Sequence, residues 1–349
     1  MRLAVERVPM HDERTARAHV DRRSFLATAA CGAGALAIGR ASGAQSPGAA
    51  AAPAAAGDAA RATIRLAHLT DIHVQPERGA EAGMAAALAH AQAWKPDLLI
   101  TGGDSVMDVF EAKRGRADEL RTLFRRTLAR ECSVPVQHVT GNHDIFGWQR
   151  ARSGTTGTEA DWGKKFACDL FGVPRTFHSF DRGAWRFVCL DSVQPKGDGY
   201  TAYLDDEQFD WLTKLLAETP KSTHVCVVSH IPIMSITALT YGAPRPRAQN
   251  GTDTVITHAE MHTDATVLHD LFKAAGNVKL CLSGHTHLLD RCDVDGVSYV
   301  CDGAVSGAWW KGPHVPKETP SRCVEGYGTV ELRPDGSFTH EYRDFGWKA

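Results

Sequence analysis

Val278-Lys279-Leu280-Cys281-Leu282-Ser283-Gly284-His285-Thr286-His287 is a short, mostly apolar run that stops at a glycine and two histidines. The run is too short for an ordinary helix and reads as a strand buried on both faces. The same grammar recurs along the chain. Runs at 64–69, 97–101, 134–140, 185–190 and 224–229 each lead into a cluster of Asp, Asn, Gly or His. Helical segments are expected at 80–94, 117–131, 160–171, 205–218 and 263–275. Strands alternating with helices predict an α/β sandwich with its inner strands buried. The tail differs: 296–301, 326–332 and 337–342 read as antiparallel strands and hairpins, the last after Pro334-Asp335-Gly336. Two stretches, 145–182 and 235–262, are too long for simple connections. Such segments are usually functional or disordered. Both begin just after polar clusters and read as walls of a site.

The polar clusters carry the chemistry. They are Asp71-Ile72-His73, Gly102-Gly103-Asp104, Gly141-Asn142-His143-Asp144, Ser229-His230, and Gly284-His285-Thr286-His287. Loops at one end of an α/β sheet gather functional groups, so these strand ends predict one metal site. Imidazole and carboxylate donors suit divalent or trivalent ions, and no thiolate joins them. Alternate residues of an extended segment share a face, so Asp71 and His73 can converge on one ion. His285 and His287 can do the same, or diverge to two ions around a bend. Any one motif is weak; all five, each at a strand end, are hard to explain as solvated loops.

Composition narrows the class. The net charge is -2, and residues 1–44 carry +3 of it, so the body is mildly acidic. That is not the basic footprint of a nucleic-acid or anionic-membrane binder. Arg22-Arg23-Ser24-Phe25-Leu26, with the weakly apolar run through Gly39, resembles a twin-arginine export signal. At about 16 residues the run is short of a membrane span, so no stable membrane anchor is expected. Residues 1–44 thus read as a signal peptide, with cleavage after Ala44, and 45–60 as an Ala/Pro/Gly linker. The main domain is expected at 61–312 and a C-terminal β extension at 313–349. The protein is expected outside the cytoplasm, periplasmic or extracellular. Of the 9 cysteines, Cys189, Cys226 and Cys281 read as buried free thiols. Cys292 and Cys301 flank Asp295-Gly296; a two-residue turn puts Cys292 opposite Tyr299, which argues against a Cys292–Cys301 disulfide.

In their order, DxH, GD, GNHD, H and GHxH, the motifs resemble those of the calcineurin-like metallophosphoesterase superfamily over roughly 63–305. The resemblance implies a four-layer α/β/β/α sandwich, metallo-dependent phosphatase-like, with a small C-terminal β appendage. It implies two metal ions, with manganese, iron or zinc as candidates. Asp71, His73, Asp104 and His287 would hold one; Asp104, Asn142, His230 and His285 would hold the other, with Asp104 bridging. His143 matches the histidine that faces the substrate phosphate. The implied reaction is phosphoester hydrolysis, in which a metal-bound hydroxide attacks phosphorus. Asp144 either orients His143 or caps the following turn.

Departures from relatives narrow the substrate. Purple acid phosphatases place a Tyr where this chain has Met107. Protein Ser/Thr phosphatases carry GDxVDRG, where residues 103–110 have Asp108 displaced by one and no Arg. The pattern is closer to small phosphodiesterases, although monoesterases share it. Trp309 and Trp310 follow the last ligand pair by one hairpin and are substrate-binding candidates; a core-plugging loop is the alternative. His68, His138 and His224 read as structural. His258, His262, Trp148 and Trp162 lie in the two long stretches and stay open. The expected partners are a small phosphoester substrate, such as a nucleotide, and the twin-arginine export machinery. A non-catalytic phosphate-ligand binder and a nuclease are the alternatives.

Overall fold

The computed structural model describes residues 62–239, 256–311 and 323–348, all within the compact unit Gly48–Ala349. The signal peptide, the whole of the linker and residues 240–255 and 312–322 of the expected segments lie outside them. Among the described residues, no helix is long and apolar enough to cross a membrane.

The first sheet takes β1 (Ile64–Leu69), β2 (Leu98–Thr101), β3 (Val136–His138), β12 (Gly326–Leu332) and β13 (Phe338–Asp344), in the order β13-β12-β1-β2-β3. The second takes β4 (His178–Arg182), β5 (Trp185–Leu190), β8 (His224–Ser229), β9 (Val278–Ser283), β10 (Asp290–Val294) and β11 (Val297–Cys301), in the order β10-β11-β9-β8-β5-β4. β6 (Val193–Lys196) and β7 (Gly199–Ala202) form a separate hairpin.

Period-two alternation explains the layers. Leu66, Leu98, Ile100, Val330 and Leu332 face Phe187, Cys189, Cys226, Val228, Leu280 and Leu282, packing sheet on sheet. Ala67, Leu69 and Leu99 point the other way, into a core with α1 (Ala80–Ala93) and α2 (Arg114–Glu131). On the far side of the second sheet lie α5 (Asp206–Glu218) and α6 (Ala265–Ala275), with α6 packed on β9. The architecture is therefore the expected α/β/β/α sandwich. The first long stretch is partly ordered structure: α3 (Arg150–Ser153), α4 (Lys164–Phe171) and β4.

Residues expected as a C-terminal extension supply β12 and β13. β12 pairs antiparallel with β1 along Ile64–Leu332 to His68–Gly328, so these strands are continuous with the first sheet. The β10–β11 turn has Asp295 and Gly296 at φ 50° and 82°, and Cys292 does face Tyr299. Cys189, Cys226 and Cys281 are buried free thiols.

One polar clamp crosses the inter-sheet core. Asp302, just after β11, is fully buried; its Oδ2 lies 2.7 Å from His68 Nδ1 on β1, and its Oδ1 lies 2.7 Å from His340 Nε2 on β13. Burial alone would raise the Asp302 carboxyl, but the two histidines outweigh it and hold it at about 2. Removing one partner of a buried pair leaves uncompensated polar groups. Asp302→Ala should therefore destabilise the protein by about 3–5 kcal/mol in urea unfolding at pH 7. A depressed carboxyl stabilises above its unfolded pKa, so this contribution should fade as pH falls from about 4 toward 2. A loss under about 1 kcal/mol would show the clamp contributes little.

Candidate metal centre

β1–β2, β2–β3, β5–β8, β8–β9 and β9–β11 all pair in parallel, so their C-terminal ends share one rim. Backbone bonds continue past the strand ends. Asp71 N–H donates to Gly103 O at 3.0 Å, His73 N–H to Asp104 O at 2.9 Å, and Gly284 N–H to His230 O at 3.0 Å. The clusters are thereby registered against each other. The local backbone is strained: Asp71, His73, Asp104, His285 and His287 all have φ between 47° and 71°. Non-glycine residues rarely adopt this region, and such strain concentrates at functional sites. Gly284 allows the closest approach; a Cβ there would collide with Thr70 Oγ1 and Asp71 Oδ2.

Two buried triads form, Asp71–His73–His287 and Asp104–His230–His285. In the first, His287 Nε2 is 3.2 Å from Asp71 Oδ1 and 3.1 Å from His73 Nε2. In the second, His230 Nε2 is 3.2 Å from Asp104 Oδ2. The same Oδ2 is 3.7 Å from His73 Nε2, so Asp104 faces both triads. Its other oxygen accepts the His143 backbone N–H at 2.8 Å.

The donors fit metal ions. Nδ1 of His73, His230 and His287 meets the carbonyls of Met107, Gly102 and Gly307 at 3.3, 2.9 and 2.9 Å. A carbonyl only accepts, so each Nδ1 carries a proton, and once the ring is neutral each Nε2 presents a lone pair inward. The bare Nε2 atoms of His73 and His287 thus face each other beside a carboxylate. A cation satisfies all three. Asp71 Oδ1, Asn142 Oδ1, His230 Nε2 and both His285 nitrogens are likewise buried with no hydrogen-bond partner.

Electrostatics agree. Burial disfavours the charged form of every group here. It lowers His73 to about 4 and His285 to about 3. For His230 burial is outweighed by Asp104, which holds it at about 9. Burial likewise opposes protonation of His143, but Asp104 and Asp108 lift it to about 9. The metal-free centre therefore holds protons where cations would sit.

The expected site residues divide. Asp71, His73, Asp104, His230, His285 and His287 converge as expected; Asn142, whose chain neighbours Gly141 and His143 pack on Asp104, has its own side-chain oxygen buried without a hydrogen-bond partner. His143 sits at the mouth, its side chain 23% exposed and Nε2 4.0 Å from Asp104 Oδ2. Asp144 does not orient it. Its Oδ1 accepts Ser105 and Val106 N–H at 2.9 and 3.3 Å, and its Oδ2 accepts Gly141 N–H at 2.9 Å. It therefore ties the β2 and β3 loops together. Burial, with Asp104 second, raises it to about 7. The carboxylate beside His143 is Asp108, 3.4 Å from Nδ1.

The tryptophans also divide. Trp309 packs on His73 and His287 with ring centroids 4.0 and 4.9 Å away. Trp310 is a correction: 1% exposed, it donates its indole N–H to Ile72 O at 2.8 Å and belongs to the α1 core. His262 is buried against Ser229 and Asp264, and Trp148 packs with Phe110 in a satellite core joined by Trp162. Asp108 and Glu260 were missed. Asp108 had a signal, its place four residues after Asp104; Glu260 had none.

Residues 64–289 match the family model of the calcineurin-like phosphoesterases. The chain belongs to that family. Its fold resembles a dimetal phosphatase from Danio rerio, at 16% identity and TM-score 0.54, over 81% of this chain and 96% of that one. It also resembles a purple acid phosphatase from yellow lupin, Lupinus luteus, at 16% identity and TM-score 0.53, over 82% of this chain and 52% of that one. At such identities the likeness is one of fold. No curated protein matches the sequence. The calcineurin-like phosphoesterase thus carries two metal-binding sites suited to metal-dependent phosphoester hydrolysis.

Because His230 is protonated when metal-free, binding must expel that proton. Calorimetry in buffers of different ionisation enthalpy at pH 7.5 should show about one proton released, with affinity rising with pH up to about 9. Metal uptake without proton release would contradict the assignment. Gly284→Ala should abolish uptake at the first triad, because its methyl group displaces Asp71; wild-type loading would show the close packing there is not required.

Proposed function

We propose that this calcineurin-like phosphoesterase hydrolyses small phosphodiesters or phosphomonoesters of nucleotide size outside the cytoplasm. The observation that carries the reading is Asp104, a member of the second buried donor triad, facing the first as well, with His143 at their mouth. When bound, the two ions, manganese, iron or zinc, supply charge neutralisation at the phosphoryl oxygens and acidify water. Protonated His143 donates a hydrogen bond to a phosphoryl or leaving oxygen. Asp108 holds the His143 ring from behind. Trp309 flanks the first triad, and Tyr200 flanks His285 at 6.2 Å between ring centroids. Two aromatic walls suit a flat base, sugar or aryl leaving group.

A phosphate binder has no need of the full donor set together with His143. Against a nuclease stands the net charge of -2 with no Lys/Arg stripe. The export half of the proposal rests on Arg22-Arg23 and the run that follows.

The test is to purify the mature chain, measure its metals, and compare rates on matched aryl mono- and diesters, then on cyclic and linear nucleotides. Hydrolysis of a short ester at a rate insensitive to salt is expected. Asp104→Asn should abolish metal loading and activity together. His143→Ala should keep both metals and lower kcat about 10²–10⁴-fold. Failure to cleave any ester with both metals loaded would overturn the enzyme reading.

A further inference from the structure

Three of the four ligand histidines are oriented alike, each by a backbone carbonyl at Nδ1. His285 is the exception. It is 8% exposed, and both of its ring nitrogens are buried without a hydrogen-bond partner. The group standing against it is Glu260, whose Oε2 lies 3.7 Å from His285 Nε2.

Glu260 is delivered by the end of the second long stretch. That segment docks on the β7 end of the hairpin: Ala202 N–H donates to His258 O at 2.8 Å, and Thr263 N–H donates to Ala202 O at 2.8 Å. It is also tied beside the ligand His230. His262 N–H donates to Pro232 O at 2.9 Å, and His262 Nε2 lies 3.2 Å from Ser229 Oγ, the residue before His230. Asp264 Oδ1 fixes the other His262 nitrogen at 2.9 Å, and Asp264 Oδ2 accepts Leu204 N–H at 3.0 Å. One segment therefore braces both histidines of the second triad.

We propose that Glu260 is a positioning residue for the second metal ion: its carboxylate faces His285 Nε2 at ion-pair distance, favours the tautomer with the proton there, and leaves Nδ1 to the ion. The His262–Asp264 pair anchors the segment that carries Glu260. The inference rests on the two-metal reading above. A carboxylate on a ligand imidazole fixes its tautomer and raises its basicity, and losing one typically weakens metal affinity 10–100-fold. The end of the second stretch, residues 256–262, thereby acts at the metal centre: its docking and the second ion stabilise each other.

The test uses the full mature chain, stripped by chelator and titrated with Mn2+ by calorimetry, resolving two binding steps. Glu260→Ala should weaken the second step about 10–100-fold and leave the first unchanged. Glu260→Gln, nearly identical in shape, keeps an acceptor oxygen and should lose less at the same step. It also guards against a folding defect in the alanine variant. A general structural role would weaken both steps, and that outcome overturns the inference. Wild-type affinity at both steps in Glu260→Ala also overturns it, with the two-metal reading left intact. Wild-type protein binding a single ion would overturn the two-metal reading and the inference with it.

Discussion

The Asp104 carboxylate is the point on which the two sheets meet. One oxygen accepts the His143 N–H at the end of β3, while the other faces His73 from β1 and His230 from β8. Donors from both halves of the sandwich thus share one carboxylate. Each triad is incomplete without a strand of the other sheet or its neighbour. The inter-sheet core of Leu66, Ile100, Val228 and Leu280 keeps those ends in register. Function therefore depends on packing far from the chemistry.

That convergence is held against local cost. Five ligands sit in the left-handed region, at roughly 1–3 kcal/mol each. Buried carboxylates and imidazoles add desolvation. The surrounding parallel sheets, the backbone bonds that run past the strand ends, and Asp144's grip on three N–H groups over-determine the geometry. Cations then complete what the fold leaves unsatisfied: bare Nε2 lone pairs and carboxylate oxygens aimed inward.

The inner strands were legible because a strand buried on both faces reads as an unbroken apolar run, as in Val278–Ser283. Six of the donors were legible because they follow such runs directly. What was not legible needed distance in space. Asp144 adjoins His143 in sequence, yet its carboxylate turns to the backbone of Ser105, Val106 and Gly141, and Asp108 reaches the imidazole from another loop. Trp309 and Trp310 adjoin as well, but one faces the triads and the other the α1 core. Glu260 carries no pattern, since only the docking of its segment on β7 brings it to His285. β12 and β13 look like an appendage in sequence because nothing local says that β12 will pair with β1.

The central claim is that Asp104 joins two ions in one centre. The electron paramagnetic resonance spectrum of the fully Mn2+-loaded protein tests it most directly. Ions about 3.5–4 Å apart and bridged by one carboxylate should give an exchange-coupled spectrum that appears only as the second equivalent is added. Two independent mononuclear six-line signals at full loading would contradict it.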